Sequence, residues 1–88
     1  MSSASYDCAA NAEVHLDLRG LSCPMPILRT RKALTTMSPG ATVWVEATDP
    51  HAVPDFESYC EKTGIELVQH WEAEGVYHFL LRVPPTAG

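Results

Sequence analysis

Cys23 is the residue of this sequence best suited to covalent chemistry. It opens the run Cys23-Pro24-Met25-Pro26, where an alternating apolar pattern ends and a helical pattern begins. A cysteine at such a junction is exposed on a loop and faces the positive end of the helix dipole. Helix N-termini and nearby cations lower the pKa of a thiol from about 8.5 to roughly 3.5–7.5, so the sequence predicts a nucleophilic thiolate. The alternative is a small apolar residue that happens to precede a helix, since free cysteine is often buried.

Two prolines and a glycine fix how the chain carries this cysteine. Pro24 and Pro26 restrict φ on either side of Met25, and prolines are tolerated in a first helical turn because its N–H groups have no intrahelical partner. Gly20 ends the preceding strand pattern. These residues predict a stiff loop that presents a sulfur atom to a partner.

A basic cluster surrounds the motif. Four of the six Lys and Arg residues lie within residues 19–34, which contain no acid, although the chain has a formal net charge of −5. They are Arg19, Arg29, Arg31 and Lys32. We assign them to docking of an acidic partner and to stabilisation of an anionic sulfur; the alternative is the solvated face of an amphipathic helix. Four cations are few for a nucleic-acid footprint on an acidic chain, so we expect no direct binding of nucleic acid.

The elements that must position Cys23 follow from the periodicity of apolar residues. Residues 13–19 alternate as a half-buried strand, and a helix with one apolar face follows the prolines as far as Met37. The pattern then predicts a strand over 43–47, a helix after Asp49-Pro50 with an interruption near Pro54, and strands over 65–71 and 76–83 joined by a loop over 72–75. This β-α-β-α-β-β order predicts a two-layer α/β sandwich with both helices on one sheet face. We expect one domain over residues 13–84 behind a flexible tail over residues 1–12.

The remaining candidate nucleophiles and ligands are weaker. Cys60 shares an apolar helix face with Phe56 and Tyr59, which favours a buried core thiol over a second sulfur acceptor or a resolving thiol. Cys8 falls in the predicted tail. No histidine pairs with a cysteine at a metal-ligand spacing, so we expect no metal and no other cofactor. Without a membrane-spanning apolar run or a signal-peptide pattern, we expect a cytoplasmic protein, with monomer as the default.

The motif and its surroundings resemble a known family. The run Asp17-Leu18-Arg19-Gly20-Leu21, followed by Cys23-Pro24-Met25-Pro26, strongly resembles the Cys-Pro-x-Pro signature of the TusA/SirA family of sulfur carrier proteins. The resemblance covers about residues 14–83 and includes Pro39-Gly40, Asp49-Pro50, Cys60, Gly64, Glu66 and Leu67. Two residues depart from it: Met25 stands where many relatives have an acidic residue, and Ile65 where a histidine is common.

The resemblance implies a function and partners. It implies a four-stranded mixed sheet and a persulfide on Cys23, loaded by a cysteine desulfurase or a rhodanese-type sulfurtransferase. The acceptor protein would serve tRNA 2-thiouridine synthesis, molybdenum cofactor biosynthesis or dissimilatory sulfur oxidation. Such a protein is a covalent shuttle between two partners rather than a stand-alone enzyme. A redox enzyme would need a resolving cysteine, and no Cys-x-x-Cys pair is present. A regulatory protein-binding module without sulfur transfer is the main alternative.

Overall fold

The structure, a computed structural model, describes residues 10–85. Most of the predicted tail, and Cys8 with it, lies outside the described residues. Six elements follow one another in the predicted β-α-β-α-β-β order. They are β1 (Val14–Leu18), α1 (Met25–Leu34), β2 (Thr42–Ala47), α2 (Ala52–Thr63), β3 (Glu66–Ala73) and β4 (Val76–Arg82).

The four strands form one mixed sheet in the order β1-β2-β4-β3. β1 and β2 are parallel, whereas β4 is antiparallel to both β2 and β3. Parallel neighbours need a crossover connection, and α1 provides it between β1 and β2. The carboxyl ends of β1 and β2 therefore lie side by side at one sheet edge. Both helices start from that edge.

The helices cover one face of the sheet, and the core lies between the two layers. Val43, Val45 and Leu81 are fully buried there, and Phe56 of α2 stacks on Phe79 of β4 with ring centroids 4.4 Å apart. Each of these side chains removes apolar surface worth about 1.5–3 kcal/mol when fully buried. This packing fixes α2 against the sheet, so the start of α2 has a defined position beside the loop that follows β1.

The opposite sheet face carries a row of stacked rings rather than apolar side chains alone. His15, Trp44, His78 and Trp71 follow one another across the four strands, with neighbouring ring centroids 4.3, 5.9 and 4.8 Å apart. His15 is exposed, the two tryptophans are half-buried and His78 is buried. This sheet face is therefore partly exposed.

Two local expectations differ from the structure. α2 is not interrupted at Pro54, because Pro54 is the third residue of the helix, in the first turn, where its missing N–H costs nothing. The loop predicted over 72–75 shrinks to the two-residue turn Glu74-Gly75, since β3 continues to Ala73. Both turn residues have positive φ, 54° and 80°, as in a type I′ hairpin turn.

Candidate functional site

The site forms where the β1-α1 and β2-α2 connections run next to each other. Gly20 turns the chain out of β1 with φ 84°, a conformation that favours glycine. Its N–H donates to the hydroxyl of Thr48, just beyond β2, at 2.9 Å. The parallel pairing of β1 and β2 thus joins two loops that are 28 residues apart in the sequence.

Asp49 connects the Cys23 loop to the start of α2 through hydrogen bonds. Its Oδ2 accepts a hydrogen bond from the Cys23 N–H, and its Oδ1 accepts one from the His51 N–H at 3.0 Å. The His51 bond comes first among the causes that lower the pKa of Asp49, and the Cys23 bond second. α2 begins at Ala52 with His51 at its N-cap position, so Asp49 lies just before the helix. The carboxylate therefore positions a loop rather than only capping a helix.

Asp55 is the second carboxylate at the site, and it contacts the sulfur itself. The Cys23 Sγ donates to Asp55 Oδ2 at 3.3 Å. Asp55 lies in the first turn of α2 and is partly buried, whereas Cys23 is exposed. The hydrogen bond to Asp55 raises the pKa of the Cys23 thiol, and loss of solvation and the negative charges of Asp55 and Asp49 raise it further.

The start of α1 offers few donors to an anionic sulfur. Pro24 is the N-cap and Pro26 lies within the first turn, so neither supplies an N–H. The Met25 N–H donates to the Ser22 carbonyl at 2.8 Å. The two prolines that stiffen the loop therefore also remove donors that make a helix N-terminus attractive to anions. The predicted lowering of the Cys23 pKa is wrong for the free thiol, because the hydrogen bond to Asp55, loss of solvation and the carboxylate charges all raise it.

The four predicted basic residues lie in different surroundings. The Arg19 guanidinium is held by Asp17 through two hydrogen bonds of 2.7 and 2.8 Å, which lower the pKa of Asp17 to about 2. Arg31 lies with Cys23 in one groove. Lys32 lines an adjoining groove with Arg31, whereas Arg29 is exposed on α1 and lines neither. Only Arg31 of the four thus shares a groove with the sulfur.

The groove that contains Cys23 runs between the two helices and has a volume of about 410 Å³. Ile27 and Tyr59 contribute apolar surface, and Arg31 and Lys62 contribute positive charge. Asp55 contributes negative charge beside the sulfur.

Two exposed apolar side chains lie on α1, Met25 within the motif and Leu28 two residues after it. Met25 is 37% exposed and Leu28 is 43% exposed. Together with Arg29, Arg31 and Lys32 they form what we call the α1 surface. Apolar residues with a charged rim are typical of protein contact surfaces.

Cys60 is separated from this site. It is 7% exposed in the core, and burial raises the pKa of its thiol to about 11. The prediction of a buried core thiol is confirmed. Among residues 10–85, no group of three or more His, Cys, Asp or Glu side chains is arranged to hold a metal ion. Within that range no helix has the length and apolarity needed to cross a membrane.

The sequence analysis did not identify Asp55, Lys62 or Leu28. Asp55 is 32 residues from Cys23, and no local pattern joins them. The usable signal is topological: if β1 and β2 are parallel neighbours, the residues after β2 must lie beside the loop after β1. Leu28 lies outside the apolar face that the spacing predicts for α1, and since singly exposed leucines are common, no sequence signal identifies it.

Fold and site together define a small α/β domain that presents one exposed thiol on a proline-stiffened loop. The family model described as Sulfurtransferase TusA matches residues 14–83. The chain is 45% identical over 73 residues to the sulfur carrier protein TusA of Allochromatium vinosum, covering 83% of this chain and 96% of that protein. It is also 45% identical over 67 residues to a putative sulfur carrier protein of Neisseria meningitidis, covering 76% of this chain and 90% of the other. The chain belongs to the TusA family, as the motif predicted.

A solved structure supports the fold. The SirA-like protein of Desulfitobacterium hafniense superposes with a TM-score of 0.73 at 23% sequence identity, covering 81% of this chain and 97% of that one. The predicted two-layer sandwich with a mixed sheet is confirmed.

Proposed function

We propose that this protein is a sulfur carrier that accepts a sulfane sulfur on Cys23 as a persulfide and passes it to a partner protein. The observation that carries the proposal is the exposed Cys23 thiol in an open groove, in a chain that belongs to the TusA family. Relatives named as sulfur carrier proteins match most of the chain. The buried Cys60 offers no comparable acceptor.

The transfer conserves atoms and electrons between the two proteins. The Cys23 sulfur attacks the outer sulfur of a donor persulfide, a new S–S bond forms at Cys23, and the donor's S–S bond breaks. The donor leaves as a thiol that takes up the Cys23 proton. The second step is the same exchange with an acceptor thiol, which regenerates free Cys23. No external oxidant or reductant is consumed.

The α1 surface is the proposed docking face for both partners. Its apolar centre at Met25 and Leu28 and its cations at Arg29, Arg31 and Lys32 suit a partner face with apolar residues and an acidic rim. Arg29→Glu should slow sulfur transfer from a donor protein while leaving polysulfide loading unchanged, since Arg29 is exposed and lines neither groove. Arg82→Glu is the control, since Arg82 pairs with Glu66 on the sheet, away from α1. Equal slowing by both variants would remove the docking role.

The carrier chemistry is tested by intact-protein mass spectrometry. Wild type, Cys23→Ser and Cys60→Ser are incubated with polysulfide, with thiosulfate and a rhodanese, or with cysteine and a cysteine desulfurase. A gain of about 32 Da that is reversed by dithiothreitol is expected in wild type and Cys60→Ser, and its loss in Cys23→Ser. Failure of every donor to load wild type would reject the carrier and favour the regulatory binding module.

The donor and acceptor define the pathway, and we propose two of the three assignments implied by the resemblance. Loading by a cysteine desulfurase would supply tRNA 2-thiouridine synthesis, and loading by a rhodanese-type sulfurtransferase would supply dissimilatory sulfur oxidation. Comparing initial loading rates from the two donors at equal concentration separates them. If one donor loads Cys23 at least about tenfold faster than the other, that donor identifies the pathway. Equal loading rates would reject a carrier dedicated to one pathway.

A further inference from the structure

We propose that Asp55 is a catalytic residue that holds the unloaded Cys23 as a thiol, so that small reagents react slowly and a docked sulfur donor is required. The inference rests on the sulfur-carrier function proposed above. It follows from the contact of Cys23 Sγ with Asp55 Oδ2 at 3.3 Å. A carboxylate in this position accepts the thiol proton in a hydrogen bond and repels the thiolate that would replace it.

Charged groups reach Cys23 from each neighbouring element. Asp55 and Lys62 come from α2, Arg31 comes from α1, and Asp49 comes from the connection after β2. Asp55 has the largest effect on the Cys23 pKa, through its hydrogen bond, and Asp49 adds to it through its charge. The two cations line the groove with the sulfur but form no ion pair with Asp55 among residues 10–85. The carboxylates therefore decide the charge state of the resting thiol.

Holding Cys23 as a thiol affects its reactions with small reagents and with docked donor proteins differently. A small electrophile meets Cys23 at low concentration and reacts only with its thiolate fraction. A donor protein bound in the groove brings its outer sulfur to a high effective concentration, which offsets a small thiolate fraction. Asp55 thus makes sulfur acceptance selective for docked donors.

A structural role of Asp55 makes a different prediction. An acidic residue in a first helical turn stabilises the helix through its dipole, so its loss could lower stability alone. Such a role leaves the pH dependence of Cys23 reactivity unchanged in the folded protein. The pH profile of alkylation is therefore the decisive measurement.

The experiment measures iodoacetamide alkylation of Cys23 against pH, by mass spectrometry, in a Cys8→Ser background. Asp55→Asn keeps the shape of the side chain and removes its charge; Glu57→Gln makes the same charge change on the same helix at an exposed position. Asp55→Asn should move the midpoint to lower pH and raise the rate at pH 7 by about threefold to tenfold. The gain is smaller than the rise in thiolate fraction, because a thiolate of lower pKa is a weaker nucleophile. Glu57→Gln should stay within about twofold of the parent.

A profile of Asp55→Asn that superimposes on the parent would overturn the proposal. If Asp55→Asn does not fold, the parent profile alone decides, because its midpoint must lie above the value of about 8.5 for an unperturbed cysteine. Asp55→Glu, which keeps the charge, should also retain a high midpoint. Alkylation uses no sulfur donor, so this test can fail while persulfide loading succeeds, and the reverse. Faster polysulfide loading of Asp55→Asn than of Glu57→Gln would link the two results.

Discussion

Cys60 provides a quantitative test of the division between a reactive and an inert thiol. The double variant Cys8→Ser, Cys23→Ser leaves Cys60 as the only cysteine. Because Cys60 is 7% exposed and lies in the core cluster, a reagent has little access to it in the folded domain. We expect this variant to gain no sulfur from polysulfide under native conditions.

Two factors set the size of the protection. A pKa of about 11 leaves a thiolate fraction of roughly 10⁻⁴ at pH 7, against about 3% for an ordinary cysteine, a difference of about 300-fold. If access requires global opening that costs about 5 kcal/mol, opening alone reduces the rate by more than about 10³-fold. Once the domain opens, the thiol has its ordinary pKa. The two factors therefore belong to two alternative routes, labelling in the folded domain and labelling after opening, and they are not multiplied. The faster route still predicts at least about 300-fold protection.

The assay compares thiol labelling of the double variant in buffer and in urea, at constant pH. Labelling should accelerate with urea in parallel with unfolding measured by circular dichroism. Native labelling within about tenfold of the unfolded rate would refute the buried position of Cys60. Cys60 would then have to be considered as a second sulfur acceptor.

Three further predictions concern the hairpin, the histidine row and the Cys23 loop. Glu74→Asn should stabilise the domain by about 0.5–1 kcal/mol, because asparagine tolerates the positive φ of 54° at this position; an unchanged or lower melting temperature would contradict this. Burial lowers the pKa of His78, and Glu46 only partly opposes it. The pKa of His78 in the folded protein is below the unfolded value of about 6.5, so its contribution to stability is complete above that pH and declines as pH falls below it. As pH is lowered, the urea midpoint of His78→Gln should therefore fall less steeply than that of the parent protein. Asp49→Asn leaves one acceptor oxygen for two N–H groups, so hydrogen exchange of the Cys23 amide should accelerate, and unchanged exchange would argue against loop positioning.

The order of elements and the exposed position of Cys23 could be predicted from sequence because both are local properties. Strands β1 and β2 alternate at period two, and their apolar positions, such as Val43 and Val45, are those found buried. Cys23 stands out by residue type, by its two prolines and by its place between a strand and a helix. These features require no knowledge of which strands pair.

The charge state of Cys23 could not be predicted because it depends on which strands are neighbours in the sheet. The basic residues near Cys23 in sequence suggested a stabilised thiolate, yet Arg19 is paired with Asp17. The side chains that contact Cys23 are Asp49 and Asp55, which arrive from the neighbouring parallel unit. Proximity in the sequence therefore overestimated the effect of the cations on the Cys23 pKa and did not reveal the two carboxylates.

The prolines explain why distant carboxylates decide the chemistry. A helix N-terminus with a full set of N–H donors would stabilise an anion whatever lay beside it. Pro24 and Pro26 remove two of those donors, and Ser22 takes the Met25 N–H. The Cys-Pro-x-Pro motif therefore presents the sulfur rigidly without activating it strongly. The charge state of the thiol is then set by groups outside the motif, and Asp55 and Asp49 favour its protonated form.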